Sequence, residues 1–435
     1  MTSVRLSERA RHTDEQPITY FLKQAMENPH LISLAAGFVD QASLPAAEAK
    51  AALDEILCDP VVGKAALQYG TTQGYAPLRE KILHHLRSLD HFGPGDRPIS
   101  VENVVIGNGS QQLLYIIGEA LLDKGDIVIA EGPSYFVYHG ALQSFGVRTL
   151  QVPMDEDGMD TNALEELLVQ LERAGDLPRV KMIYTVDYFQ NPSGRTLSLQ
   201  RREHLVELAR RFSKTHTILI LEDAAYRELR YDGDDLPSLL AFDPEHKHVM
   251  LTMTFSKPLA PGFKTGYGLL PKEVLAPVLR FKGNHDFGSS NLSQMTIDRM
   301  WDNGSYHRHV ELLRNVYRSK RDAMLDALKA EFPALTGVRW TIPHGGLYVW
   351  LTMPEGMETG PDSPLMKAAL AEGALYVPGS FCYVKGSTAK NNEIRLSFGV
   401  ANEGQIRTGI ARLATAARGV GLPRVSMPKL AGCRG

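Results

Sequence analysis

The sequence predicts an α/β chain: a large, mostly parallel sheet covered by helices on both faces, followed by a smaller α+β unit. From Val104 onward, short apolar runs alternate with helical stretches. The runs are continuously apolar rather than alternating, as strands buried on both faces require. After about Tyr306 the texture changes to one long helical pattern and then several strand-like stretches with only two helices.

In chain order, residues 1–16 are charged and carry no period, which reads as a mobile arm or a short helix. The strand candidates are Val104–Ile106, Ile127–Ala130, Lys181–Val186, Ile218–Leu221, Val249–Thr254 and Gly266–Leu270. Between and after them, helical patterns run over Gln111–Leu122, Ala163–Leu171, Arg201–Phe212 and Asn291–Trp301. The long helix from about Tyr306 to Glu331 would span roughly 39 Å at about 1.5 Å per residue. Val338–Ile342, Leu347–Thr352, Leu375–Val377 and Ile394–Phe398 read as the strands of the smaller unit, and Met353–Pro364 as a Pro/Gly-rich loop. The domain expectation is an N-terminal arm, 1–44, belonging to the small domain. A large domain, 45–305, follows, then the rest of the small domain, 306–418, and a loose tail, 419–435. Ligand is expected at the carboxyl ends of the parallel strands.

Composition narrows the class of function. At 435 residues, 43 % hydrophobic and 22 % charged, the chain is ordinary globular material with ample core, about two to three domains by length. A formal charge of −3 offers no electrostatic footprint for nucleic acid or an anionic membrane. No run approaches the ~18 apolar residues of a spanning helix, and the polar N-terminus lacks the core of a secretory signal. Cys58, Cys382 and Cys433 are too few and too scattered for a disulfide framework or a zinc site, so reduced thiols in a cytoplasmic setting are expected. No metal is expected.

Four motifs carry chemistry. In Thr254–Gly268, Lys257 follows a strand end among hydroxyl residues and a Gly/Pro turn, a position suited to a Schiff base on a pocket floor. A lone lysine there would ordinarily be an exposed loop residue. Leu221–Tyr226 ends a buried strand in Asp223, able to hold a pyridinium nitrogen protonated or simply to cap a helix. Asn191-Pro192-Ser193-Gly194 follows another strand and by itself is a turn. Gly107–Gln112 is a glycine-rich turn feeding a helix. With Gln112 where a third glycine belongs it makes a poor dinucleotide fingerprint, but its free N–H groups suit one phosphate.

Ser110, Asn191, Asp223, Tyr226 and Lys257 fall in this order on successive strand ends, and Lys257 follows Asp223 by 34 residues. In this the chain resembles the fold type I pyridoxal-phosphate enzymes, the class I/II aminotransferases, in their aminoadipate, kynurenine and aromatic branch. The resemblance runs from about Ile32 to Arg412. It includes Leu34–Pro45, Gln68–Glu80, Gly132–Tyr135, His344–Trp350, Val377–Tyr383 and Glu393–Gly399. It implies an aminotransferase moving an amino group between an α-amino acid and a 2-oxo acid, with pyridoxal 5'-phosphate as an aldimine on Lys257. Asp223 would pair with the ring nitrogen, Asn191 and Tyr226 with the phenolate oxygen, and Tyr135 would stack on the ring. Ser110, Gln111, Thr254, Ser256 and Lys264 would hold the phosphate. Gly37, Asn191 and Arg395 would bind substrate, Arg395 by its carboxylate. Tyr69 would reach the neighbouring subunit's phosphate, which implies a homodimer. The chain departs from the family in having Lys264 where arginine is usual and in a poor match over Pro17–Glu27.

The same residues would serve β-elimination, decarboxylation or oxidase chemistry. A pyridoxal-phosphate regulatory domain is the remaining alternative, though only about 30 residues precede Ile32, too few for a winged helix. Ser387–Lys390 and Lys264–Gly266 mimic penicilloyl-serine motifs in reversed order and read as chance. His246/His248 and His307/His309 read as solvated histidines, and Met250 and Met253 as core.

Overall fold

The computed structural model describes residues 4–422, apart from 16, 18, 20, 22, 23, 25, 26, 29, 94, 334–336 and 388. The strands in chain order are β1 Ile32–Ser33, β2 Val104–Gly107, β3 Ile127–Gly132, β4 Arg148–Asp155, β5 Gly158–Met159, β6 Val180–Thr185 and β7 Leu219–Asp223. They continue as β8 Val249–Thr254, β9 Gly266–Leu269, β10 Arg339–Trp340, β11 Tyr348–Thr352, β12 Ala374–Leu375, β13 Val377–Pro378 and β14 Glu393–Ser397. Eight form one sheet in the order β2-β9-β8-β7-β6-β3-β4-β5. β8, β7, β6, β3 and β4 pair in parallel, while β9 runs antiparallel between β8 and β2. Every residue of β2, β7, β8 and β9 is buried, which is why these strands read as unbroken apolar runs.

Two helix groups flank the sheet. Ser110–Leu121 packs with Phe136–Phe145 and Lys272–Asp286, and Thr161–Arg173 packs with Leu199–Phe212. The smaller unit is an antiparallel sheet, β10-β11-β14-β13. The 27-residue helix Ser305–Glu331 packs against Glu403–Gly419, which also meets Pro364–Ala371. β1 pairs with β12, tying the segment after residue 30 to this unit. Near the N-terminus, Ser7 caps a short helix, Glu8–His12, whose Arg9 reaches Glu119 at 3.1 Å.

The structure corrects several expectations. Leu375–Val377 is not one strand: β12 joins β1, and one residue later β13 joins β14, so Tyr376 marks a change of partner. Val338–Ile342 shrinks to two residues. β4 was not expected, since it is a partly exposed, mixed run with Pro153 inside. His246 and His309 are buried rather than solvated. Burial draws the His246 imidazole down to about 4, and His309 Nε2 lies 3.2 Å from the Leu259 carbonyl. Both lie among packed elements whose apolar residues are distant in sequence. Met250 and Met253 are core. Cys433 and most of the expected tail, 423–435, lie outside the described residues.

Candidate active site

The strand directions bring the carboxyl ends of β2, β3, β6, β7 and β8 to one edge, and each delivers one of the expected residues. After β2, Gly109 turns the chain at φ +78° into the helix Ser110–Leu121. The first N–H groups of any helix lack intrahelical partners. Gly266, the first residue of β9, pairs with Thr254 and lies so close that a Cβ there would sit 2.4 Å from the Ser110 nitrogen. Thr254 Oγ1 accepts from the Ser256 N–H at 3.1 Å and donates to Ser256 Oγ at 3.0 Å. The Gln111 side-chain carbonyl is buried with no partner among the described residues. Ser110, Gln111, Thr254 and Ser256 thus share one cup. Lys264 closes the turn Pro261–Phe263 at φ +49°, two residues before Gly266; its side chain is exposed, with no ion pair among the described residues.

Asp223 ends β7 and is buried. One carboxylate oxygen accepts from the Tyr184 O–H at 3.1 Å, and the other has no partner at hydrogen-bond distance among the described residues. Burial pushes its pKa up to about 7, the Tyr184 hydrogen bond opposing and nearby Asp187 adding to the rise. Lys257 donates from Nζ to the Gly37 carbonyl at 2.7 Å. Burial lowers its pKa; Tyr348 opposes this and Arg395 adds to it. Arg395 is itself buried, donating to Asn191 Oδ1 at 3.0 Å and the Ala35 carbonyl at 2.8 Å, with its guanidinium 4.6 Å from the Tyr348 ring centroid. Tyr226 donates to Tyr348 Oη at 3.3 Å, edge-on to its ring. Tyr135 is half-buried, its phenol pKa raised by burial and then by the Asp223 charge.

Lys257, Gly37, Tyr226, Asn191 and Arg395 are therefore joined in one cluster, with Tyr348 at its centre. The sequence reading missed Tyr348, although it noted the stretch around it. A Cβ on Gly37 would lie 2.7 Å from the Tyr348 hydroxyl, so the glycine is what lets that ring in. Tyr184 was also missed. It pairs in register with Leu221, two residues before Asp223, a relation the strand pattern holds but only the pairing discloses. Glu131 is a third omission. Buried at the end of β3, it accepts from Thr185 Oγ1, Val186 N–H and Gln190 Nε2, at 2.6, 2.7 and 2.8 Å, and so anchors the loop carrying Asn191. Tyr69 stands outside this chain's cluster, 84 % exposed. The segment Pro17–Glu27 lies partly outside the described residues; within it Phe21 packs edge-on to Phe381.

These groups fit a phosphorylated pyridine aldehyde. The bare Asp223 oxygen awaits an N–H donor, the cup offers helix N–H groups to a phosphate, and an ammonium with lowered pKa is the form that yields a nucleophilic amine.

The family "Aminotransferase class I and II" matches residues 29–413. An aromatic-amino-acid aminotransferase of Thermococcus litoralis is 35 % identical over 408 residues, covering 94 % of this chain and 93 % of its own. The crystal structure of a Pyrococcus horikoshii kynurenine aminotransferase in complex with PMP aligns with a TM-score of 0.87 at 34 % identity, covering 96 % of this chain and 97 % of its own. An α-aminoadipate aminotransferase of Thermus thermophilus, complexed with N-(5'-phosphopyridoxyl)-L-leucine, aligns at 0.82 and 32 % identity over 95 % and 97 %.

Proposed function

The chain belongs to the class I and II aminotransferases and is a pyridoxal-phosphate-dependent transaminase, and on that premise we propose which of its residues carry the transfer between α-amino acid and 2-oxo acid. The observation that carries the proposal is the pairing of Asp223, buried with one bare oxygen, with Lys257 at the same sheet edge. Bound pyridoxal phosphate supplies a sink for the electron pair left when the substrate Cα–H bond ionises. Lys257 is the covalent anchor and, once freed, takes the proton from Cα and returns it elsewhere, a task its lowered pKa suits.

Asp223 keeps the proton on the ring nitrogen. Asn191 and Tyr226 hold the ring's phenolate oxygen, Tyr135 covers the ring face, and Ser110, Gln111, Thr254, Ser256 and Lys264 hold the phosphate. Arg395 grips the substrate carboxylate: its guanidinium is already oriented by Asn191 and the Ala35 carbonyl, which reduces the ordering cost of a bidentate pair. Gly37, whose missing Cβ admits the Tyr348 ring and whose carbonyl holds Lys257, borders the substrate.

The active unit in this reading is a homodimer in the cytoplasm, with Tyr69 serving the neighbour's phosphate. Exposed Val61, Leu67, Tyr69 and Phe287 support the dimer, and unpaired Cys58 and Cys382 support the compartment. Residues 45–305 make the cofactor-binding domain, and 306–418 with the segment before 45 make the smaller one.

Borohydride reduction tests the anchor. The parent should carry cofactor covalently at Lys257, and Lys257→Ala should carry none and lose turnover. Persistent labelling of Lys257→Ala at another lysine would overturn the assignment.

A further inference from the structure

The helix Lys272–Asp286 ends in an aspartate, the wrong charge for a helix C-terminus, where the dipole favours cations. Asp286 is also turned toward the phosphate cup, where a second anion is expected. Its Oδ2 accepts from Asn108 Nδ2 and Gln112 Nε2, both at 2.9 Å, and more distantly from Ser289 Oγ at 3.4 Å. Gln112 Oε1 in turn accepts from the Asn108 N–H at 2.7 Å, closing a ring around the Gly107–Gly109 turn. One turn back on the same helix, Lys282 is fully buried and its Nζ meets both Asp286 oxygens, at 2.9 and 3.0 Å. The residues just beyond Asp286 seat the loop that carries Tyr69. Thr72 Oγ1 donates to the Phe287 carbonyl at 2.9 Å, and a Cβ on Gly288 would lie 2.8 Å from the Thr71 carbonyl oxygen.

We propose that Lys282 and Asp286 are the positioning pair of the phosphate cup: the carboxylate fixes the cup's turn through Asn108 and Gln112, and the buried ammonium cancels the carboxylate's charge before it can repel the cofactor phosphate. The inference rests on the assignment of the cup to the phosphate. Both turn donors, Asn108 and Gln112, go to the one oxygen Oδ2, which an amide oxygen could also serve, whereas the Lys282 ammonium meets both oxygens and calls for the carboxylate's charge. With only 13 % of the Asp286 side chain exposed, and the proposed dianion close by, the carboxylate is tolerated best with a cation against it, because charge interactions strengthen as water is excluded. Among the described residues Lys282 donates its hydrogen bonds to Asp286 and none to the turn itself, so it acts through Asp286.

Charge cancellation makes a prediction that scaffolding alone does not. The test is equilibrium binding of two probes, pyridoxal phosphate and pyridoxal, to the cofactor-stripped full chain. The parent should bind pyridoxal phosphate far more tightly than pyridoxal. Lys282→Met leaves Asp286 uncompensated and should weaken pyridoxal phosphate by roughly tenfold or more, an uncompensated charge near a dianion being worth at least that, while changing pyridoxal by less than about threefold. Lys282→Met/Asp286→Asn removes both charges and should regain most of the lost affinity. Asp286→Asn alone, which keeps an acceptor and frees the cation, should bind pyridoxal phosphate at least as tightly as the parent, so the proposal stays testable even if Lys282→Met folds poorly. Equal weakening of both probes by Lys282→Met, a double variant no better than the single, or weaker phosphate binding by Asp286→Asn would each overturn the pair's role. A parent that binds the two probes alike would instead overturn the cup assignment beneath it.

Discussion

Asp223 titrates near 7 in the cofactor-free chain because burial raises it more than the Tyr184 hydrogen bond lowers it. The consequence for stability has a definite sign. Below pH about 4 the carboxyl is protonated in folded and unfolded chain alike. Between about 4 and 7 the unfolded chain releases the proton and the folded chain keeps it, so stability falls with rising pH and levels off above 7. The loss is on the order of 4 kcal/mol, at about 1.4 kcal/mol per unit. Asp223→Asn keeps the shape without the charge. Cofactor-stripped Asp223→Asn should therefore match the parent in urea unfolding at pH 4 and exceed it by about 2–4 kcal/mol at pH 8, while the loaded enzyme loses activity. A constant difference across pH would refute the account. In the proposed reading the folded chain holds an unfavourable charge that bound cofactor would relieve, and such perturbed groups cluster at functional sites.

The first residue of β9 packs directly against the start of the helix Ser110–Leu121. A methyl group on Gly266 would meet the Ser110 nitrogen at 2.4 Å, the Gly109 carbonyl carbon at 2.7 Å and the Met253 oxygen at 2.9 Å, all backbone atoms that cannot rotate away. Gly266→Ala must part the strand from the helix, at about 1–3 kcal/mol for overpacking, and it opens the cup at the same time. Gly109→Ala meets nothing within 4 Å, and its cost is conformational, about 1–3 kcal/mol for a side chain at φ +78°, ψ 162°, a region essentially reserved for glycine. Thermal unfolding and cofactor dissociation measured together separate the two: Gly266→Ala should fail in both, and Gly109→Ala mainly in the first. Gly266→Ala with unchanged cofactor affinity would show that the cup does not depend on this contact.

For the molecule as a whole, the surface around Tyr69 is the conspicuous feature. Val61, Leu67, Tyr69 and Phe287 are all at least 70 % exposed, and the Thr72–Phe287 bond holds the Tyr69 loop beside Phe287. Large apolar side chains left this exposed are what the proposed dimer would cover. The parent should sediment as a dimer at micromolar concentration. Val61→Asp/Leu67→Asp should be monomeric and release cofactor on dialysis, because Tyr69 then has no partner site to enter. A parent that is monomeric and fully active would remove both the dimer and Tyr69 from the site.

The order of the chemistry along the chain is written in its local residue pattern. β7 and β8 are wholly buried runs, and Asp223 and Lys257 stand out because polar residues at the ends of such runs have no packing reason to be there. The Pro/Gly turns and the 27-residue amphipathic helix were legible for the same reason: their signals lie within a few residues of one another. The tertiary structure alone decided which distant residues meet. Lys257 with Gly37, Arg395 with Asn191 and Tyr226 with Tyr348 are separated by 220, 204 and 122 residues. The exposed edge pattern of β4 and the proline within Lys272–Asp286 hid two elements, and with the second went Asp286, whose place against Asn108 and Gln112 no periodicity encodes. Local propensity acts over a turn of helix or a pair of strand positions. A site built at the ends of five strands is assembled by packing, which selects partners by shape and charge without regard to their distance along the chain.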